Sequence, residues 1–422
     1  MKTRPITLAL SVLLGLSALP AHAQSIDEMR LELKQLREEL EALKRHQAAG
    51  VQQQAGTEVT DPPTAPQVAA AASGAQSAIA GGLLIPGTRT SLHLYGFAET
   101  HAIHDFRQTS APDVFTDLTY QPLANAGGRR GQTRFTAETS RLGLETSTPS
   151  ANGPLTTKLE VDFYSYGVDN RNHLRLRHAY GEYDGWLIGQ TWSTFMDVDD
   201  LPETLDFNGP IGAPFSRRAM LRYAFGDAKG GVRVALAAED PADLAGGPSA
   251  GEKIPQLVAR LDKSFDWGAI NLRAMTHTKR SESETRRGYG FGFGGSYKLG
   301  DKDSLMGQYT RVYGDVDALY GSNGYAIATN GAISFDHNQG LVLGYAHVFS
   351  DRLRSNVALG LNRGQTAGGA DNRTLEEIFL NLIYSPIKNV DVGGEWIWGQ
   401  RKTFGGQVGG LTRIDLMARY SF

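Results

Sequence analysis

The chain has 422 residues, 42 basic against 45 acidic side chains, and a formal net charge of −3. That balance excludes a strongly basic nucleic-acid binder, and the lack of cysteine excludes a disulfide framework and thiolate metal sites. Hydrophobic residues make up 41% and mean hydropathy is −0.31, which reads as soluble but also fits a barrel in which only alternate residues meet lipid.

Met1 to Ala23 reads as a secretory signal. Lys2 and Arg4 open it, Ile6 to Leu19 form its apolar centre, and Ala21-His22-Ala23 is a small-x-small cleavage site. The mature chain is expected to begin at Gln24. Beyond the signal no run of about 18 apolar residues occurs, so no helix is expected to span a bilayer. Residues 24–47 read as a periplasmic coiled coil, with Ile26, Met29, Leu33, Leu36, Leu40 and Leu43 alternating three and four apart. Glu32 and Glu39 fall at g, and Arg37 and Lys44 at the e positions five residues on, which suits parallel helices in register. About three heptads are marginal alone, so the segment needs copies already held together. Residues 48–89 are rich in Ala, Gln, Gly, Thr and Pro and read as a flexible linker.

From residue 90 to 422 one design recurs: amphipathic run, short turn, amphipathic run, long loop. We count about sixteen runs: 91–107, 132–146, 154–164, 174–183, 186–195, 216–225, 231–239, 255–265, 267–279, 287–299, 303–313, 340–349, 353–364, 375–385, 390–400 and 411–422. The last shows the pattern best. Ile414, Leu416, Ala418, Tyr420 and Phe422 share one face, and Arg413, Asp415, Met417, Arg419 and Ser421 the other. An oily face and a charged face together call for lipid outside and a wet lumen inside. In the runs at 91–107 and 287–299 one face is Gly-rich and the other aromatic, and the pattern alone does not say which meets lipid. Turn signals such as Asp184-Gly185, Gly300-Asp301 and Ser350-Asp351 alternate with long polar loops such as 108–131, 196–215, 240–254 and 314–339. An all-β, antiparallel, up-and-down transmembrane barrel of about sixteen strands predicts strict alternation of short turns and long loops.

No catalytic motif emerges, so an enzyme is not expected and no cofactor is implied. Gly288, Gly290, Gly292 and Gly294 alternate on a strand rather than opening a helix, which argues against a phosphate loop. His101 and His104 are expected on opposite faces, and no G-x-S-x-G elbow occurs. What remains is charge. Arg141, Arg175, Arg177, Arg218, Arg222 and Arg233 are expected on lumenal faces of neighbouring runs, forming one basic wall. Guanidinium forks suit carboxylate and phosphate, and ladders of them make anion-preferring pores. The alternative, that they merely solvate the lumen and pair with Glu145, Glu160, Asp162 and Glu239, stays open. The stretch 196–215 carries Asp197, Asp199, Asp200, Glu203 and Asp206 before a Gly/Pro-rich tail. It resembles the third extracellular loop of general porins, which folds inward and sets the aperture. Acids on such a loop would face the basic wall across a constriction. Asp197, Asp199 and Asp200 are also a candidate calcium set, on spacing alone.

Leu94-Tyr95-Gly96-Phe97 opens the barrel, Ser140-Arg141-Leu142-Gly143 follows in the second run, and Tyr420-Ser421-Phe422 ends the chain. With the signal, coiled coil and linker before them, these resemble the DcaP-like outer-membrane porins. The closing aromatic is similar to the assembly signal of Gram-negative outer-membrane barrels. The resemblance implies a homotrimer in outer-membrane lipid with a periplasmic helical extension. It also implies passive uptake of small anions, notably dicarboxylates. Glu99 departs from it, being an acid in the opening run where an anion path would want a base. A sugar-selective porin is the nearest rival, and it calls for lumenal aromatics. An outer-membrane hydrolase or a trimeric adhesin fits less well, for want of a Ser/His pair and because one chain supplies all sixteen runs.

Overall fold

The computed structural model describes residues 79–107, 114–126, 130–164, 173–242, 252, 254–365 and 371–422. All described residues fall in the second of two units along the chain, Gly74–Phe422. The expected signal peptide, the coiled coil with Ile26, Met29, Leu33, Leu36, Leu40 and Leu43, and the linker up to residue 78 lie outside the described residues. Within the second unit, Leu83–Leu84 pairs with Ser91 and Leu92, so the chain folds back on itself just before the barrel begins.

Sixteen long strands are present among the described residues. They are β1 (Ser91–Asp105), β2 (in two pieces, Gln132–Thr136 and Arg141–Thr148), β3 (Leu155–Asp162), β4 (Arg175–Tyr183), β5 (Trp186–Trp192), β6 (Arg217–Phe225), β7 (Arg233–Glu239) and β8 (Gln256–Phe265). Then follow β9 (Gly268–Arg280), β10 (Thr285–Leu299), β11 (Asp303–Tyr313), β12 (His337–Ser350), β13 (Leu353–Gly364), β14 (Asn372–Tyr384), β15 (Val390–Thr403) and β16 (Val408–Ser421). Each pairs antiparallel with the next, and β16 pairs with β1 from Phe97↔Ser421 to Asp105↔Arg413, so the sheet closes on itself without an edge. The sixteen expected runs are these sixteen strands.

The period-two pattern sets the two faces. On β16, Ile414, Leu416, Ala418 and Tyr420 are exposed while Arg413, Asp415 and Met417 are buried inside. The two ambiguous strands resolve in opposite ways. On β1 the inner face carries Tyr95, Phe97, Glu99, His101 and Asp105, and the small residues Ala98, Thr100 and Ala102 look out. On β10 the glycines look in, and Tyr289, Phe291, Phe293 and Tyr297 are about half exposed on the outside.

Tight turns join the strands at one rim. Asp184 and Gly185 both have positive φ, 49° and 81°, the geometry that a two-residue hairpin requires. The other rim departs from the expected strict alternation. The connections 281–284 and 404–407 are only four residues, because β9–β10 and β15–β16 continue outward as paired hairpins.

Candidate functional site

Loop 193–216 leaves β5 and rejoins β6, its ends tied by the Ser193 amide donating to the Ser216 carbonyl at 3.0 Å. Between them it lies inside the barrel, held by inward groups of successive strands. Glu239 of β7 accepts from the Ser193 hydroxyl and the Thr194 amide at 2.6 and 2.7 Å. Arg260 of β8 and Arg273 of β9 donate to the carbonyls of Met196 and Phe195 at 2.6 and 3.0 Å. Glu395 of β15 accepts from the amides of Leu205 and Asp206, and Glu377 of β14 from that of Ile211, all at 2.9–3.0 Å. The walls β10 and β12 contribute by having no side chain. A Cβ on Gly294 would stand 2.3 Å from the Asp197 carboxylate, and one on Gly340 would stand 2.0 Å from the Gly212 carbonyl. Gly290, where a Cβ would stand 3.1 Å from the Phe195 ring, and Gly294 are therefore a flat bed for this loop on β10.

The loop acids serve this attachment and do not face a basic wall, which corrects the sequence reading. Asp197 and Asp200 are buried and share the Asn271 amide at 2.6 and 2.8 Å, with Arg260 reaching Asp197 at 3.3 Å. Glu203 forms a two-pronged pair with Arg354 of β13 at 2.8 Å on each prong. Asp206 accepts from the Thr116, Asn208 and Gly209 amides at 2.6–3.2 Å. Of the five, Asp199 and Glu203 are exposed. Burial pushes the Asp200 carboxyl up to about 7, helped by the neighbouring Asp197 charge. Burial also pushes Asp206 up to about 7, against the pull of Arg413 and the three amides and with Glu395 adding to the rise. No group of three or more acids or histidines among the described residues is arranged to hold a metal ion. The calcium set does not form, since Asp197 and Asp200 turn to the wall and Asp199 to the lumen.

Two more loops fold inward. Residues 114–126 place Leu118 against Ile211, Phe379, Ile397 and Leu411, and the Tyr320 hydroxyl of loop 314–336 donates to the Thr116 carbonyl at 2.8 Å. Arg218 is drawn to these loops and leaves the expected basic wall. Its guanidinium donates to the carbonyls of Asp240 and Ala242 at 2.7 Å and pairs with Asp317 at 3.3 Å, and the residue is 2% exposed. Burial alone would raise the Asp315 carboxyl beside it. Lys279 at 3.4 Å, His277 and Arg218 more than reverse this and hold it well below the carboxylate range.

The basic side of the lumen is β2 to β4 with the start of β6. Arg175 forks onto Asp162 at 2.7 and 3.0 Å. Arg177 reaches both Glu160 and Asp162, at 2.7 and 2.8 Å. A bulge allows this, because Glu160 pairs with His178 and Val161 with Leu176, leaving Arg177 unpaired in the ladder and turned inward beside its neighbour. Arg141 approaches Glu160 at 3.5 Å and lies 4.9 Å from the Phe97 ring centre. Arg217 lies flat on Trp192, 3.6 Å from the ring centre, with no hydrogen bond or ion pair among the described residues. Phe207, from the inward loop, touches the same group, with Arg175 and Arg177 at 5.3 and 5.8 Å from its ring. Four guanidiniums thus meet two carboxylates where the loop tip reaches across. Arg222 and Arg233 stand apart from this group. They line a side cavity of about 410 Å³ between the loop and β6–β10, Arg233 facing Asp262 at 3.6 Å and Arg222 with no hydrogen bond or ion pair among the described residues.

The model of the DcaP outer membrane protein family matches residues 77–422. The chain belongs to that family. The outer membrane channel DcaP of Acinetobacter baumannii is similar to it at 29% identity, with 81% of this chain and 99% of that chain covered and a TM-score of 0.74. OmpT of Vibrio cholerae is similar in fold at 13% identity, covering 81% and 100%, with a TM-score of 0.54. An anion-selective porin from Comamonas acidovorans is similar in fold at 12%, covering 79% and 100%, with a TM-score of 0.56. No curated protein matches the sequence significantly. With the closed barrel, these findings make this DcaP-family chain an outer-membrane channel.

Two lumenal features escape the sequence pattern of this family member. Arg217 falls on the oily side of the β6 alternation, yet as the first residue of the strand it turns onto Trp192. The departure at Glu99 also has a local explanation. Its carboxylate pairs with Arg419 and lies 3.2 Å from His101, whose other nitrogen meets Asp415 at 3.0 Å, so the acid is neutralised within the β1–β16 seam.

Proposed function

We propose that this channel passes small anions by diffusion, with dicarboxylates the best-suited class. The observation that carries the reading is the excess of guanidiniums at the loop tip: Arg141, Arg175, Arg177 and Arg217 against Glu160 and Asp162, with Arg217 unpaired among the described residues. An anion entering there loses part of its water, and fixed donors replace it. Arg222 and Arg233 offer a further weak station behind the loop, so an anion is attracted in steps without being trapped. The rings at this point, Phe97, Trp192 and Phe207, are covered by guanidiniums, which leaves little free aromatic face for a sugar to slide along. The working unit we propose is a homotrimer with the 24–47 coiled coil in the periplasm. The test is the reversal potential of single channels across a salt gradient, for the native protein and the Arg141→Gln, Arg217→Gln double variant. The native channel should prefer anions, more weakly at high salt as screening shortens the field, and the double variant should lose much of the preference. An unchanged preference in the variant would show that selection occurs elsewhere.

A further inference from the structure

The outer face of the barrel is electrically lopsided. On β9, β10, β11, β13 and β15 one cation each, Arg280, Arg287, Arg311, Arg363 and Lys402, lies within three residues of the strand end at the long-loop rim. The alternation points all five outward, since their chain neighbours Lys279, Gly288, Val312, Asn362 and Thr403 are buried inside. None has an ion pair or hydrogen bond among the described residues. The Arg311 guanidinium lies 5.0 Å from the Tyr313 ring centre with its Nε buried and unpartnered. On the described strands of this sector one carboxylate near the rim, Glu376 of β14, points outward, and it makes no ion pair among the described residues. Three of the five are set in one ladder row, through Arg311↔Gln339↔Arg363↔Thr374↔Lys402. Around the seam the described strands carry no outward Lys or Arg near the same rim: Ala102 and His104 of β1, Phe135 of β2, Val161 of β3 and Thr412 of β16 occupy those positions, and Arg107, just beyond β1, lies against Gly410.

An outward cation at a strand end sits where the hydrocarbon gives way to headgroups, its stem along apolar neighbours and its charge at the polar layer. Just inside the row lie Phe293, Tyr309, Leu341 and Leu361, which form a surface for acyl chains. We propose that the β9–β15 sector is a docking surface for a phosphorylated glycolipid of the outer leaflet, with Arg311, Arg363 and Lys402 holding its phosphates. A spacing of two strands, roughly 10 Å, separates successive cations of the row, which suits a headgroup carrying two phosphates rather than one compact ion. The β16–β3 sector, whose described strands carry no outward cation at this rim, is left to other contacts.

The test uses the full-length protein in nanodiscs of phosphatidylcholine containing diphosphoryl lipid A or the same lipid with both phosphates removed. Bound lipid is counted by native mass spectrometry after release into mild detergent. The native protein should retain the diphosphoryl form preferentially. Each basic residue near an anionic lipid surface is worth about a fivefold change in binding, so the Arg311→Ser, Arg363→Ser, Lys402→Ser variant should lose about tenfold or more. The charge-keeping Arg311→Lys, Arg363→Lys variant should retain the lipid, as should His104→Ser on the opposite sector. Inorganic phosphate alone should leave the melting temperature unchanged. Should the triple variant fail to fold, the single Arg363→Ser variant carries the measurement, with a loss of about fivefold expected. Equal retention of the phosphate-free lipid, or undiminished retention in the folded Ser variant, would overturn the proposal.

Discussion

Two sides of one lumen use the same residue types for opposite ends. On the loop-bearing side, Arg260, Arg273 and Arg354 and the acids Glu239, Glu377 and Glu395 are all engaged with the chain of loop 193–216. On the side of β2–β4, Tyr164 and Phe207 touch the basic group, and Arg217 has no hydrogen bond or ion pair among the described residues. A buried charge must find a partner or be costly, so groups under the loop are saturated. Groups in contact with water are free to meet a solute. The difference teaches that a lumenal arginine predicts anion passage only after the loops have taken theirs. Arg218, which the alternation places on the wall and loop 314–336 claims, makes the point.

Removing residues 198–210 should break the comparison most completely. It exposes the loop-bearing side, so single-channel conductance should rise and charge selectivity weaken; equal conductance would place the loop outside the pore. A subtler disruption is Gly340→Val. The new side chain would collide with the Gly212 backbone, which cannot shift cheaply, so a loss of about 1–3 kcal/mol in the loop's attachment is expected. Noisier current with retained barrel stability would report it.

Acidity offers a reversible version. The Asp206 carboxyl is raised to about 7 in the pinned loop and would return to about 3.9 if the loop were released to water. The pinned state therefore binds the extra proton. Its stability from this group is fully present below about pH 4 and is lost as pH rises through about 7. Loop-opening events should become more frequent over that rise, and Asp206→Asn should flatten the dependence. A native channel whose gating is flat from pH 5 to 8 would contradict the assignment.

On the basic side, Arg217→Gln alone should lower the anion-to-cation permeability ratio by about twofold, the scale of one partly screened charge. The same change at Arg218 should leave selectivity nearly untouched while loosening loops 240–255 and 314–336, visible as faster proteolysis. The smallest effect expected is from deleting residues 24–89. Large barrel contacts should outweigh about three heptads, so size measurement in mild detergent should still give a trimer. A monomer would sink that expectation.

The sequence by itself determined the barrel. Alternation along sixteen runs and turn pairs such as Asp184-Gly185 depend only on neighbours in the chain, and they specify faces and hairpins locally. Only the tertiary structure decided which inward residues meet water. Phe379, Ile383 and Ile397 are apolar on a face expected to be wet, and they make sense only beneath loops 114–126 and 193–216. Gly290 and Gly294 of β10 likewise have no local reason and serve as the bed of a loop that starts about a hundred residues earlier along the chain. The fate of each arginine turned on the same contacts. Long-range packing of loops carries no period, so it leaves no pattern in the sequence to read, whereas a strand's two faces repeat every second residue.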